Sequence, residues 1–294
     1  MDFQSCGDRE IKSSSGVMQD FLMTPEAQSS LLPLVFAFIL GLILIRLGER
    51  CLGFAVIGGF LLTVLLTVGL EFQPLTSTRK IILCSLLLPL LALLIDWLGQ
   101  RPLVRIAVLM SVLAVAAIWV VWPVLIRLEG MEVLLLGARV ALYAAGIGGV
   151  ILWLNRGLSY RESGALMALG IGTGACALVA ASGLYAQLSF AVAAAIGGAL
   201  LVLLLSKSSV KSLGSLSLFA AAVPLALLGG ASSVFAKLPP AALGFLFLIP
   251  VFAAIPLNKH GNLWLRTAVS GILGLFPAVP AIWITWKAAG PVIY

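Results

Sequence analysis

Between Leu31 and Trp286 the chain alternates long apolar runs with short polar clusters, and most of its charges fall in the clusters. Each run is about as long as a bilayer is thick, since a span takes about 20 residues at a rise of about 1.5 Å each. In hydrocarbon, backbone N–H and C=O groups must be satisfied within the segment, so runs of this length predict helices. A transmembrane barrel would need short segments of alternating polarity, and no such alternation is sustained. The predicted fold is all-α: a polytopic transmembrane helix bundle of about ten spans.

The predicted spans are Ser29–Ile45, Cys51–Leu70, Ile81–Trp97, Ile106–Ile126, Val133–Leu154, Gly164–Ala181, Leu188–Leu205, Leu213–Ser233, Pro239–Leu257 and Thr267–Trp286. The stretch from Ser163 to Ser206 carries no charge over 44 residues. That is enough for two spans, and Ser182-Gly183 with Gln187 supplies the turn between them. Nine or eleven spans stay open if one short segment is re-entrant. The chain then divides into a polar tail (1–28), one transmembrane helical domain (29–287) and a short tail (288–294). The first 28 residues lack the basic-then-apolar order of a secretory signal.

Composition agrees with a lipid environment. Of 294 residues, 62% are hydrophobic and only 10% charged, where soluble domains carry about 25% charged residues. Mean hydropathy is +1.17. The net charge of +7 points to anionic headgroups rather than nucleic acid, because Lys and Arg cluster at the ends of apolar runs. The lipid bilayer is thus the expected partner.

The same charges set an expected orientation. One set of loops holds Arg46, Arg50, Arg101, Arg105, Arg156, Arg161, Lys207, Lys211, Lys259 and Arg266, ten in all. The opposite loops and both tails hold seven: Arg9, Lys12, Arg79, Lys80, Arg127, Lys237 and Lys287. The positive-inside rule then places both termini outside the cytoplasm of a plasma (inner) membrane. Trp119, Trp122, Trp283 and Trp286 fall at the outer ends of spans and Trp97, Trp153 and Trp264 at inner ends, as interface anchors do.

Sliding the chain by 161 residues places Arg46 and Arg50 on Lys207 and Lys211, Pro89 on Pro250, and Arg105-Ile-Ala-Val on Arg266-Thr-Ala-Val. We read this as a candidate parallel duplication of spans 1–4 and 7–10, a construction known in transporters. Chains rich in Leu, Ala and Val also match themselves by composition alone.

Candidate chemistry is sparse. Arg139 interrupts the fifth span, and Tyr143 lies one turn further in on the same face. Such an arginine either lines a cavity and binds an anionic group or snorkels to headgroups and pairs with Glu132, Glu129 or Glu71. Both readings are open. Asp96 ends the third span, where it faces water, pairs with Arg101 or relays protons. No acidic residue is expected deep in any span, which argues against coupling through an intramembrane carboxylate. Gly146, Gly148, Gly170 and Gly174 are expected to let helices pack closely. Prolines within spans, Pro277 and Pro280 above all, predict kinks.

Enzyme chemistry is not expected. His260 is the only histidine, and there is no HExxH, paired intramembrane Asp or serine with a base. Cys6, Cys51, Cys84 and Cys176 show no CxxC spacing, so neither a disulfide framework nor a metal site is predicted. No cofactor is expected. Three functions remain: a small-molecule permease with Arg139 and Tyr143 near its path, a non-catalytic scaffold, anchoring or assembly subunit whose partners are other membrane subunits, and, behind these two, a lipid-handling protein.

Overall fold

The structure, a computed structural model, describes residues 24–48, 51–69, 71, 73–97, 102–154, 161–206, 214–255 and 263–290. Outside them lie most of the N-terminal tail with Cys6, the loop residues Arg50, Arg101, Arg156, Lys207, Lys211, Lys259 and His260, and the side chains of Asp96 and Trp264.

Every described element is helical. We number ten helices. Helix α1 opens as a π turn over Ala27–Leu31 and continues as Leu32–Leu44. Then come α2 (Leu52–Thr67), α3 (Ser77–Trp97), α4 (Pro102–Leu125), α5 (Met131–Leu154), α6 (Arg161–Val179), α7 (Gly183–Leu205), α8 (Gly214–Phe235) and α9 (Pro240–Ala253). Helix α10 has two segments, Leu263–Leu275 and Ala278–Ala289, separated at Phe276-Pro277. Pro277 and Pro280 lack the N–H that a continuous helix needs.

Eight of these helices are long and apolar enough to cross a membrane, rather than the ten expected. The exceptions are α2, with 16 residues, and α9, with 14. Both end earlier than their apolar runs. At α2, Gly69 adopts φ +76°, and its N–H donates to the Val64 carbonyl at 3.0 Å, closing the helix. At α9, which ends at Ala253, the sequence places Pro256 three residues further on, and a residue before proline is disfavoured in helical conformation. The apolar side chains run on, but the hydrogen-bond ladder does not.

The 161-residue offset pairs α3 with α9 and α4 with α10. Their lengths differ: 21 against 14 residues, and 24 unbroken residues against segments of 13 and 12.

Three helices form the interior. In α6, α7 and α8, 72%, 72% and 83% of the spanning positions are buried, against 28–44% in the other five spans. Helix α8 packs against α3, α5 and α2, and α7 against α1, α2 and α6. Helix α6 packs against α7, α8, α9 and both segments of α10, with a lighter contact to α5.

Helix α4, which carries Pro123 inside it, shows how the bundle treats a broken ladder. Pro123 has no N–H to offer the carbonyl four residues back, which belongs to Trp119. Lys80 of α3 fills the gap: its Nζ donates to the Trp119 carbonyl at 3.1 Å and lies 5.1 Å from the Trp119 ring centroid. One turn earlier on α3, Ser77 Oγ donates to the Val120 carbonyl at 3.0 Å. Helix α3 begins at Ser77, four residues before the predicted start at Ile81. Its first turn, polar in sequence, covers the break that Pro123 leaves in its neighbour's hydrogen-bond ladder.

Candidate functional site on the inner face of α6

Helix α6 starts at Arg161, three residues before the predicted span, and so takes in Arg161, Glu162 and Ser163. The expectation that no acidic residue lies deep in a span is unaffected, because Glu162 is the second residue of the helix, but the predicted start at Gly164 left this carboxyl in a loop. Glu162 lies in the first helical turn, where the N-terminal partial positive charge favours a carboxylate. Its side chain is 0% exposed.

The arginine beside it points elsewhere. Arg161 Nη1 donates to the carbonyl of Ala254 at the end of α9, at 3.4 Å. A cation suits that place, because the last carbonyls of a helix carry partial negative charge. Ser270 of α10 donates to the Ala253 carbonyl at 3.0 Å and lies 3.4 Å from the Arg161 carbonyl. Helices α6, α9 and α10 are thereby tied at one end of the bundle. Where Gly164 stands, a Cβ would lie 2.9 Å from the Thr267 carbonyl, so α10 approaches α6 backbone to backbone there.

Eleven residues separate Glu162 from Thr173. At about 100° per residue that returns to within about 20° of the same face, about 16 Å further along the axis. Thr173 is fully buried. It faces Tyr143 of α5, and neither hydroxyl has a partner at hydrogen-bond geometry. The Tyr143 ring lies against α8: a Cβ on Gly229 would come 2.5 Å from the phenol oxygen. Cys176, one turn beyond Thr173, is buried and faces Thr285 of α10. Thr285 itself donates to the Ala281 carbonyl at 2.7 Å.

Thr285 also lines a cavity of about 480 Å³ where α6, α8 and α10 end, together with Ser182, Phe235, Lys237, Ala288 and Ala289. The only two non-glycine residues with positive φ among the described residues, Ala181 (58°) and Lys237 (54°), line it too. Each turns the chain out of a helix. The Ser182 N–H then reaches the Ala177 carbonyl at 2.9 Å, and the Leu238 N–H reaches the Ser232 carbonyl at 3.1 Å. A second cavity, about 290 Å³ and almost wholly apolar, opens between α6, α7 and α10 beside Gly164, Met167 and Gly271.

Along α6, therefore, polar groups stand in two places, Glu162 with Ser163 at its start and Thr173 with Cys176 toward the half-polar vestibule, and only apolar residues and glycines lie between them. Five buried side-chain atoms of this helix lack a partner: Arg161 Nε, both Glu162 oxygens, Ser163 Oγ and Thr173 Oγ1. Tyr143 Oη and Ser217 Oγ share that condition elsewhere. Native interiors leave few polar groups unpaired, and each asks for an explanation.

The other residues singled out in the sequence are spread around this line. Arg139 is half-buried, about 12 Å along α5 from its start at ~1.5 Å per residue, and neither pairs with a carboxylate nor lines one of these cavities among the described residues. Gly170 and Gly174 meet α7, where Cβ atoms would lie 2.8 Å from Ala193 Cβ and 2.7 Å from the Phe190 ring. Gly146 lies under Phe247 of α9, and Gly148 under Leu113 of α4. Trp119, Trp122, Trp283 and Trp286 are all exposed on the bundle surface, by 40–61%. Lys287 Nζ lies 3.8 Å from the Trp283 ring centroid. Cys51, Cys84 and Cys176 are free thiols.

Reading the sequence missed Glu162 and Thr173. A charge pair at the end of an apolar run looks like a loop, and Thr173 is masked within Gly-Ile-Gly-Thr-Gly, where glycines draw the eye to packing. No protein-family model matches the chain, and no curated protein matches it.

Proposed function

We propose that this multi-pass membrane protein is a small-molecule permease whose path follows the inner face of α6. The observation that carries the reading is the set of buried polar atoms on α6 and Tyr143 that fall short of hydrogen-bond geometry, with the facing Tyr143 and Thr173 hydroxyls lying between Glu162 and the vestibule at the far end of the helix. An unsatisfied buried polar group costs about 1–3 kcal/mol. In a static bundle, valine at 173 and phenylalanine at 143 would remove that cost at almost the same shape. Groups that wait for water or solute explain why the polar atoms are there. Tyr143 and Thr173 would contact the solute midway, and α6 would separate from α8 to admit it. The distribution of Lys and Arg supports a plasma-membrane location with both termini outside the cytoplasm.

Proteoliposomes holding the purified chain test the reading, using a panel of labelled amino acids, sugars, nucleosides and organic ions. At least one solute should equilibrate faster than in empty vesicles. Thr173→Val and Tyr143→Phe should slow it by about 3- to 10-fold, the worth of one hydrogen bond. Vesicles equally tight with and without the protein would sink the permease and leave the anchoring or assembly subunit as the better account.

A further inference from the structure

Glu162 has no partner on another of the described residues. Its own backbone N–H is the one donor near the carboxylate, and neither oxygen reaches hydrogen-bond geometry, although the side chain is completely buried. Arg161 is engaged at the end of α9. Ser163 Oγ, next along the chain, is itself buried and unpartnered.

The elements packed on α6 are α5, α7, α8, α9 and α10. Among their described residues the charged groups are Glu132 and Arg139 of α5 and Arg266 and Lys287 of α10; α7, α8 and α9 carry none. Glu132, Arg139 and Lys287 belong to the opposite half of the bundle, as do Tyr143 and Tyr185. Arg266 shares the Glu162 end but makes no bond to it. A carboxylate left ionised there would bear a desolvation penalty of several kcal/mol, offset among the described residues only by the partial positive charge of the α6 N-terminus.

Two kinds of cation could cancel the charge. A metal ion needs several oxygens close around it, and no group of three or more His, Cys, Asp or Glu stands ready among the described residues. An organic cation needs space, and Glu162 lines neither of the two cavities described above. A proton needs neither.

We propose that Glu162 is a proton-binding site, loaded while the first turn of α6 is buried and emptied when that turn meets water. The step is –COO⁻ plus H⁺ giving –COOH, with no electrons moved. Resting on the permease reading, it makes solute movement along α6 proton-coupled: separation of α6 from α8 both opens the path and wets the carboxyl.

The test combines two measurements on the full chain in liposomes. Infrared spectra at pH 7 should show a protonated-carboxyl band, because exposed carboxyls are ionised there. Glu162→Gln, which copies the neutral acid in shape, should fold and lack the band. Absence of the band from the wild type overturns the proposal. So does a Glu162→Gln chain that fails to fold while Glu162→Asp folds, since that would show that the negative charge is needed. The second measurement imposes a pH gradient and follows a pH-sensitive dye and the labelled solutes. The wild type should accumulate solute and move protons. Glu162→Gln should only equilibrate solute, with proton flux lowered at least about tenfold, to the background of empty vesicles. Equal gradient-driven accumulation by both chains refutes the coupling. A wild type that shows the band but moves no solute refutes the permease and keeps the proton site.

Discussion

Replacing Lys80 by methionine should unfold the bundle more easily, and the size of the effect should depend on Pro123. Lys80 Nζ sits 3.1 Å from the Trp119 carbonyl and 5.1 Å from its ring, with the side chain only 7% exposed. A hydrogen bond from a charged donor contributes about 1.5–3 kcal/mol, and a cation over an indole about 0.5–1 kcal/mol. Lys80→Met therefore removes about 2–4 kcal/mol in the native background. Pro123→Ala supplies the missing N–H, so the Trp119 carbonyl finds a partner inside α4. Against that background Lys80→Met loses the ring contact alone, about 0.5–1 kcal/mol. The coupling between the two sites is then about 1.5–3 kcal/mol. Denaturant titration in mixed micelles, run on both single variants, the double variant and the parent, measures it directly. Additivity within about 0.5 kcal/mol would show that Lys80 does not serve the proline-freed carbonyl.

Three further outcomes follow from the packing. Gly170→Leu should force α6 from Ala193 and the Ser189 carbonyl, which would lie 2.8 and 3.1 Å from a Cβ, lowering stability by about 1–3 kcal/mol in the same titration. Ala181→Gly should raise stability by about 1 kcal/mol, because φ 58° is strained for any residue with a Cβ; an unchanged midpoint would contradict the strain. A chain whose only tryptophan is Trp286 should be quenched more by lipids brominated near the headgroup than by lipids brominated at the chain ends, as an interfacial indole requires.

The helical class was legible because backbone hydrogen bonding in hydrocarbon leaves few alternatives. The ends of α2 and α9 were not. Hydropathy follows side chains, whereas Gly69 and Pro256 act through the backbone, and both stand inside apolar runs. Helix α6 failed in the other direction. Arg161 and Glu162 look like loop residues until the end of α9 is seen to take the guanidinium. Nor does any periodicity mark the face of α6 that looks inward, because a helix apolar on every side has almost no polar stripe to read. Tyr143 stood out as a polar group within a run. Its companion Thr173 did not, because partners from different helices meet only through tertiary packing.

The brevity of α9 has a consequence for the surrounding lipid. Its 14 residues reach about 21 Å, against about 30 Å of hydrocarbon. Val251 and Gly244 on its outer side are exposed, so acyl chains touch this helix directly. A helix of that reach spans the hydrocarbon only where the two leaflets dimple toward each other, a deformation that grows with membrane thickness. Short-chain lipids would relieve that mismatch, so the bundle should be more stable in thin membranes than in thick ones.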